Sequence, residues 1–137
     1  MPEFRYHSAR AVCATADNGI STVNFYGMVD QKGMAFLRSC VHEYTRPARA
    51  VIARLDGALL MLDRGFLEGA NAAAHDGPDV AVIVSDEHYE MGMAYARRMA
   101  GIGVKRLIFL PSQILMARRW AECRARSKSE ELLLSQH

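Results

Sequence analysis

Long apolar runs and alternating segments along the chain predict a set of strands. The run DVAVIVSDE is nearly continuous in Val, Ile and Ala, which is typical of a strand buried on both faces. RAVIARLDG and VKRLIFLP predict two further strands. Ahead of them, AVCATADNGISTVNFYG predicts a hairpin, because Val12, Val23 and Phe25 favour extended backbone and Asn-Gly tolerates a positive φ.

Apolar residues at helical spacing lie between these strands. Asp30 is placed to cap a helix that Pro47 ends, and its apolar face is predicted to carry Met34, Leu37, Val41 and Tyr44. RGFLEGANAAAHDG predicts a short helix. Ser85 is the predicted N-cap of the following helix, which is expected to end at Gly101 or Gly103. The last helix, in QILMARRWAECRARS, is expected to cover the sheet through Met116, Trp120 and Cys123.

Strands that alternate with helices after an initial hairpin predict the α/β class. We expect a mixed sheet of about five strands, with the helices packed mainly on one face. The chain has 137 residues, half of them apolar, which is enough for one domain with one core. Residues 1–128 are predicted to form that domain, and residues 129–137 are predicted to be a polar tail that frays.

Composition argues against several classes of protein. A net charge of +2, without a known motif or an aromatic platform beside the basic stretch ARRWAECRARSK, argues against nucleic-acid binding. Three cysteines without a CxxC pair argue against a disulfide framework and a zinc site. Because no apolar run is long enough for a membrane span and the N-terminus is polar, a cytoplasmic protein is expected.

The chain lacks the short motifs that mark most enzymes. It contains no Gly-rich phosphate loop, no G-x-S-x-G elbow and no HExxH, and its five histidines are not paired at ligand spacing. In SDEHYE the acidic residues are expected at a helix start because they complement the helix dipole. We therefore predict no catalytic residue, no metal ligand and no cofactor.

Several segments, in the same order along the chain, resemble the STAS domain family. NFYGMVDQKG resembles the stretch that closes the second STAS strand, with Gly27 and Asp30 on the family's Gly and Asp. LDGALLMLDRGF resembles the following strand and turn without a gap, matching at Leu55, Gly57, Met61 and Gly65. The segment from AVIVSDEHYE to RRWAE is similar to the last strand-helix-strand-helix unit. The resemblance covers roughly residues 10–125 and implies a STAS-like fold of the SpoIIAA-like type.

One departure from that family concerns its phosphorylation switch. In STAS domains a serine at the start of the following helix is the switch, whereas the matching residue here is Arg64, preceded by Asp63. Phosphorylation changes a surface by adding negative charge and acceptor oxygens to a hydroxyl, and this turn offers none. Asp63 has three interpretations: a helix N-cap, part of a charged epitope with Arg64, or a site of aspartyl-phosphate formation.

The resemblance implies a non-catalytic regulatory or scaffold module that binds a protein partner, such as an anti-sigma-factor-like kinase or a signalling complex. The candidate contact residues are Asp56, Gly57, Asp63, Arg64, Gly65 and Glu68. An alternative is a carrier of a lipid or small apolar molecule, or a membrane-associated carrier, because SpoIIAA-like proteins resemble Sec14-type lipid carriers in fold. An adaptable apolar surface for such a ligand could be formed by Met91, Met93, Met99, Met116 and Trp120. Dimerisation is left open.

Overall fold

A mixed sheet of seven strands forms the centre of the fold in the computed structural model, which describes residues 1–62 and 77–135. The strands are β1 (Glu3–Tyr6), β2 (Ala9–Thr15), β3 (Ile20–Asp30), β4 (Ala50–Arg54), β5 (Ala58–Met61), β6 (Asp79–Ile83) and β7 (Arg106–Phe109). The described helices are α1 (Gln31–Thr45), α2 (Tyr89–Gly101) and α3 (Ile114–Ser135). Short 3₁₀ turns precede α2 and α3.

The strand order is β1-β2-β3-β4-β6-β7, and β5 pairs with the second half of β3. β1, β2 and β3 are antiparallel, whereas β3, β4, β6 and β7 are parallel. The predicted α/β class with a mixed sheet is therefore confirmed. The expected strand number was too low, because EFRY and ALLM form β1 and β5 in addition to the five strands read from the sequence.

Local hydrogen bonds form the hairpin turn and the start of α1 as the sequence predicts. Gly19 has a φ of +84°, and the side chain of Asn18 accepts a hydrogen bond from the Ile20 N–H at 3.1 Å. Asp30 caps α1, since its Oδ1 accepts from the N–H of Gly33 at 2.7 Å. The helix ends at Thr45, two residues before Pro47.

Helices α1 and α2 pack on one face of the sheet and α3 packs on the other, so the expectation that the last helix covers the same face as the others is wrong. Val80 and Val82 of β6 face α1 and α2, while the alternating Ala81 and Ile83 face α3. Side chains of successive residues in a strand project to opposite faces of the sheet. A strand that is apolar at every position is therefore buried only when other elements pack on both faces.

The last helix contacts the sheet through small residues rather than the large ones that the sequence favoured. Ala117, Ala121 and Ala125 are buried against the sheet, whereas Met116 and Cys123 are exposed and Trp120 is half-buried. Small side chains allow the helix backbone to approach the strands closely, which bulky side chains at the same positions would prevent. The expected contact through Met116 and Cys123 is therefore wrong.

The ends of two helices also differ from the expectation. Ser85 precedes a 3₁₀ turn, Asp86–His88, and its side chain does not cap a helix, so α2 begins only at Tyr89. Residues 129–135, which were expected to fray, continue α3 to Ser135. Of the helices in the described ranges, none combines the length and the apolar character that crossing a bilayer requires.

Enlarging the alanine ridge of α3 is expected to destabilise the fold. Ala121 is fully buried, so Ala121→Leu should lower the free energy of unfolding by about 1–3 kcal/mol through overpacking. Arg118→Leu is the matched control, since Arg118 lies on the same helix and is exposed. Urea denaturation of both variants tests this, and an equal loss of stability would contradict close packing at the ridge.

Candidate functional site

The segment that carries Asp56 and Gly57 is a break between two strands that pair with the same neighbour. Asn24 of β3 pairs with Arg54, and Gly27 of β3 pairs with Ala58. From one of these pairs to the next, β3 advances by three residues, whereas the segment from Arg54 to Ala58 advances by four. One extra residue on one side of a strand pair is the geometry of a β-bulge. The interruption of the apolar pattern at Asp-Gly thus has a structural cause.

Asp56 is held by an ion pair within this bulge. Its two carboxylate oxygens accept hydrogen bonds from Arg54, from Nε at 3.2 Å and from Nη2 at 2.8 Å. This bidentate contact, with the charge of Asp56, raises the pKa of Arg54 above its ordinary value. Asp56 therefore has a structural role, because its carboxylate fixes the side chain of the last residue of β4.

Gly57 packs closely against β3. A Cβ atom at this position would lie 3.3 Å from the carbonyl oxygen of Phe25 and 3.6 Å from the ring of Tyr26. The same ring carries the guanidinium of Arg10 on its face, 4.7 Å from the ring centroid. The structure thus gives Asp56 and Gly57 local packing roles.

The other four candidate contact residues, Asp63, Arg64, Gly65 and Glu68, lie outside the described residues. Their assignment to a partner-binding surface stays a prediction.

An apolar cavity lies between α1, α2 and the sheet. Its volume is about 140 Å³, and it opens into a wider space of about 970 Å³ that includes solvent at the mouth. Strands β4, β6 and β7 form its floor, through Val51, Ala53, Val80, Val82 and Ile108. The two helices form its walls, with side chains that include Met34 and Val41 on α1 and Met91 and Tyr95 on α2.

Four basic side chains, two arginines and two histidines, line this cavity in the described ranges. Two lie on α1, one follows β6 and one begins β7: Arg38, His42, His88 and Arg106. No aspartate or glutamate is among the described lining residues. His88 lies at the carboxyl end of β6, whereas Arg106 lies at the amino end of β7, so basic groups occur at both ends of the cavity.

Hydrogen bonds hold several polar groups at the rim. Nη1 of Arg106 donates to the carbonyl oxygens of Pro78 at 3.2 Å and Lys105 at 3.0 Å. Nδ1 of His88 lies 3.1 Å from the hydroxyl of Ser85. The hydroxyl of Thr45 donates to the Val41 carbonyl at 2.8 Å, which satisfies its hydrogen bond within α1.

The described part of the chain offers little in the way of nucleophilic or metal chemistry. Burial raises the pKa of the Cys13 thiol to about 11, with a smaller contribution from Cys40, so this thiol stays protonated at neutral pH. No group of three or more His, Cys, Asp or Glu residues within ranges 1–62 and 77–135 could hold a metal ion.

A scan against models of known protein families finds no match for this chain, and a search of curated proteins also finds none. The resemblance to STAS domains therefore stays a prediction, beyond the α/β class that the structure shows.

Sequence reasoning did not find most of the cavity. The methionines of α2 were noted as a candidate apolar surface, and Met91 does line the cavity. The remaining walls come from segments that lie far apart along the chain, and no local motif connects them.

Proposed function

We propose that this chain is a non-catalytic binding module that takes a small apolar molecule in the cavity between α1, α2 and the sheet. The observation that carries this proposal is the lining, in which apolar side chains from five strands and two helices surround one open space. Burial of apolar ligand surface against such walls is the main source of affinity in sites of this type.

The basic residues of the lining point to an anionic group on the ligand. Arg106 lines the cavity at the amino end of β7, and its guanidinium favours a negative charge there. A carboxylate or phosphate on an apolar chain combines both requirements, since its head accepts charge-assisted hydrogen bonds while its tail contacts the floor. A long-chain fatty acid is the simplest molecule of this class.

Binding of a fluorescent fatty acid tests the proposal directly. We expect cis-parinaric acid to bind saturably to the purified protein, and its methyl ester to bind at least about tenfold more weakly, because the ester lacks the charge. Fluorescence titration at constant ionic strength measures both affinities. Absence of saturable binding by either compound would overturn the proposal, and equal binding would remove the anionic part.

Two variants and their controls locate the bound molecule. Ala53→Leu fills space on the cavity floor and is expected to weaken binding of the fatty acid by about tenfold, while the exposed Ala100→Leu on α2 should leave it unchanged. Arg106→Gln should weaken binding of the acid and leave binding of the ester unchanged, whereas exposed Arg118→Gln should affect neither. Equal effects of a variant and its control would place the ligand elsewhere.

The interpretation as a partner-binding module of the STAS type remains a second prediction. Of its six candidate residues, the two in the described ranges, Asp56 and Gly57, already have packing roles. The cavity therefore carries the primary proposal.

A further inference from the structure

Helix α3 presents an exposed stripe on the side opposite its alanine ridge. Ala117, Ala121 and Ala125 face the sheet, and six exposed residues lie along the opposite side of the helix. They recur at alternating steps of three and four residues, the spacing with which one helix packs along another. We call them the outer stripe: Met116, Arg119, Cys123, Arg126, Glu130 and Leu133.

The order of side chains along the outer stripe is self-complementary when a second copy is turned end to end. About a two-fold axis between Arg124 and Ala125, Met116 faces Leu133 of the second copy. Arg119 faces Glu130 of the second copy, and Cys123 faces Arg126. Each contact occurs twice by symmetry. Apolar pairs thus close both ends of the interface, and opposite charges lie next to them.

In a parallel arrangement of the same two helices, like charges would face each other. Arg119, Arg126 and Glu130 would each face the same residue of the second copy, so all three charged positions would repel. The charge pattern therefore specifies the antiparallel arrangement.

Both ends of the outer stripe carry exposed apolar side chains. Met116 is 58% exposed and Leu133 is 59% exposed, and the neighbouring Leu115 and Leu134 are 66% and 76% exposed. Every residue from Glu130 to Ser135 is exposed, so in the described part of the chain no side chain buries the last turns of α3. A helix of 22 residues is about 33 Å long, which gives a second copy a surface that includes these turns.

We propose that this protein forms a homodimer through antiparallel pairing of the outer stripes of α3. The stripe and the cavity lie on opposite faces of the sheet, so dimerisation leaves both cavities accessible. The proposal therefore does not rest on the proposed ligand.

A charge-swap experiment tests the pairing and its direction. In sedimentation equilibrium we expect the wild-type protein to dimerise, and Arg119→Glu and Glu130→Arg each to raise the dimer dissociation constant at least about tenfold. The double variant Arg119→Glu/Glu130→Arg should restore dimerisation, because it exchanges the charges of each pair. All of these side chains are exposed, so the circular dichroism spectra should be unchanged.

Cys123 gives an independent readout, since it adjoins the two-fold axis. Mild oxidation with copper phenanthroline should produce a disulfide-linked dimer that Cys123→Ser abolishes, while Cys13, which is buried, should not contribute. A wild-type protein that stays monomeric at millimolar concentration, or a double variant that stays as weak as the single ones, would overturn the proposal. Binding of the monomer to anionic lipid vesicles through this stripe would also overturn it, in favour of a membrane surface.

Discussion

Gly27→Ala is expected to lower the free energy of unfolding by about 3–5 kcal/mol, the largest effect of any substitution considered for this protein. Gly27 has a φ of +81°, which an alanine adopts only at a cost of about 1–2 kcal/mol. In addition, a Cβ atom there would lie 2.0 Å from the carbonyl oxygen of Ser8. That oxygen belongs to the backbone between β1 and β2, so the connection itself would have to move.

The variant Gly103→Ala separates the conformational cost of a positive φ from the steric cost of the close approach of Ser8. Gly103 has nearly the same φ, +82°, and a Cβ atom there would have no neighbour within 4 Å, so only the conformational cost of about 1–2 kcal/mol remains. Thermal unfolding of both variants, followed by circular dichroism, should show a much larger fall in Tm for Gly27→Ala. Equal shifts would mean that the approach of Ser8 contributes nothing.

Leu37→Ala is expected to cost about 2–5 kcal/mol, the second large effect. Leu37 is fully buried in the cluster that α1 forms with the sheet, where removal of its side chain leaves a cavity among Val23, Val29 and Val51. The cost combines the lost burial of apolar surface with the lost contacts around that cavity.

The adjacent Phe36 is a matched control on the same helix. Its side chain is larger, but it is 47% exposed, and its ring lies beside that of Tyr6 at 5.5 Å between centroids. Phe36→Ala should therefore cost about 1 kcal/mol, although it removes more atoms. Urea denaturation with unchanged m-values measures both losses, and a larger loss at Phe36 would contradict the described orientation of α1.

Features that depend on a few neighbouring residues could be predicted from the sequence. The Asn18-Gly19 turn, the Asp30 cap and the apolar face of α1 all follow from contacts within a few positions, and the structure has them where they were expected. The α/β class also follows, because the alternation of strands and helices is visible along the chain.

Features that depend on distant segments could not be predicted in the same way. The apolar run of β6 indicates burial on both faces of the sheet. It therefore conflicts with the expectation that the helices cover mainly one face. Hydrophobicity alone favoured Met116 and Cys123 for the inner face of α3. The structure has alanines there, because the helix lies so close to the sheet that only small side chains fit between them. The cavity is assembled from two helices and five strands, so its residues share no local pattern.

The strands at the two sides of the sheet have a consequence for self-association of the backbone. β1 and β7 are four residues long, and within the described residues each pairs with a single neighbour. β1 carries the charged residues Glu3 and Arg5, and Pro111, which has no N–H to donate, follows shortly after β7. Short, charged or proline-flanked edges are poor acceptors for a strand from another molecule. β1 and β7 are therefore poor sites for edge-to-edge pairing between folded molecules.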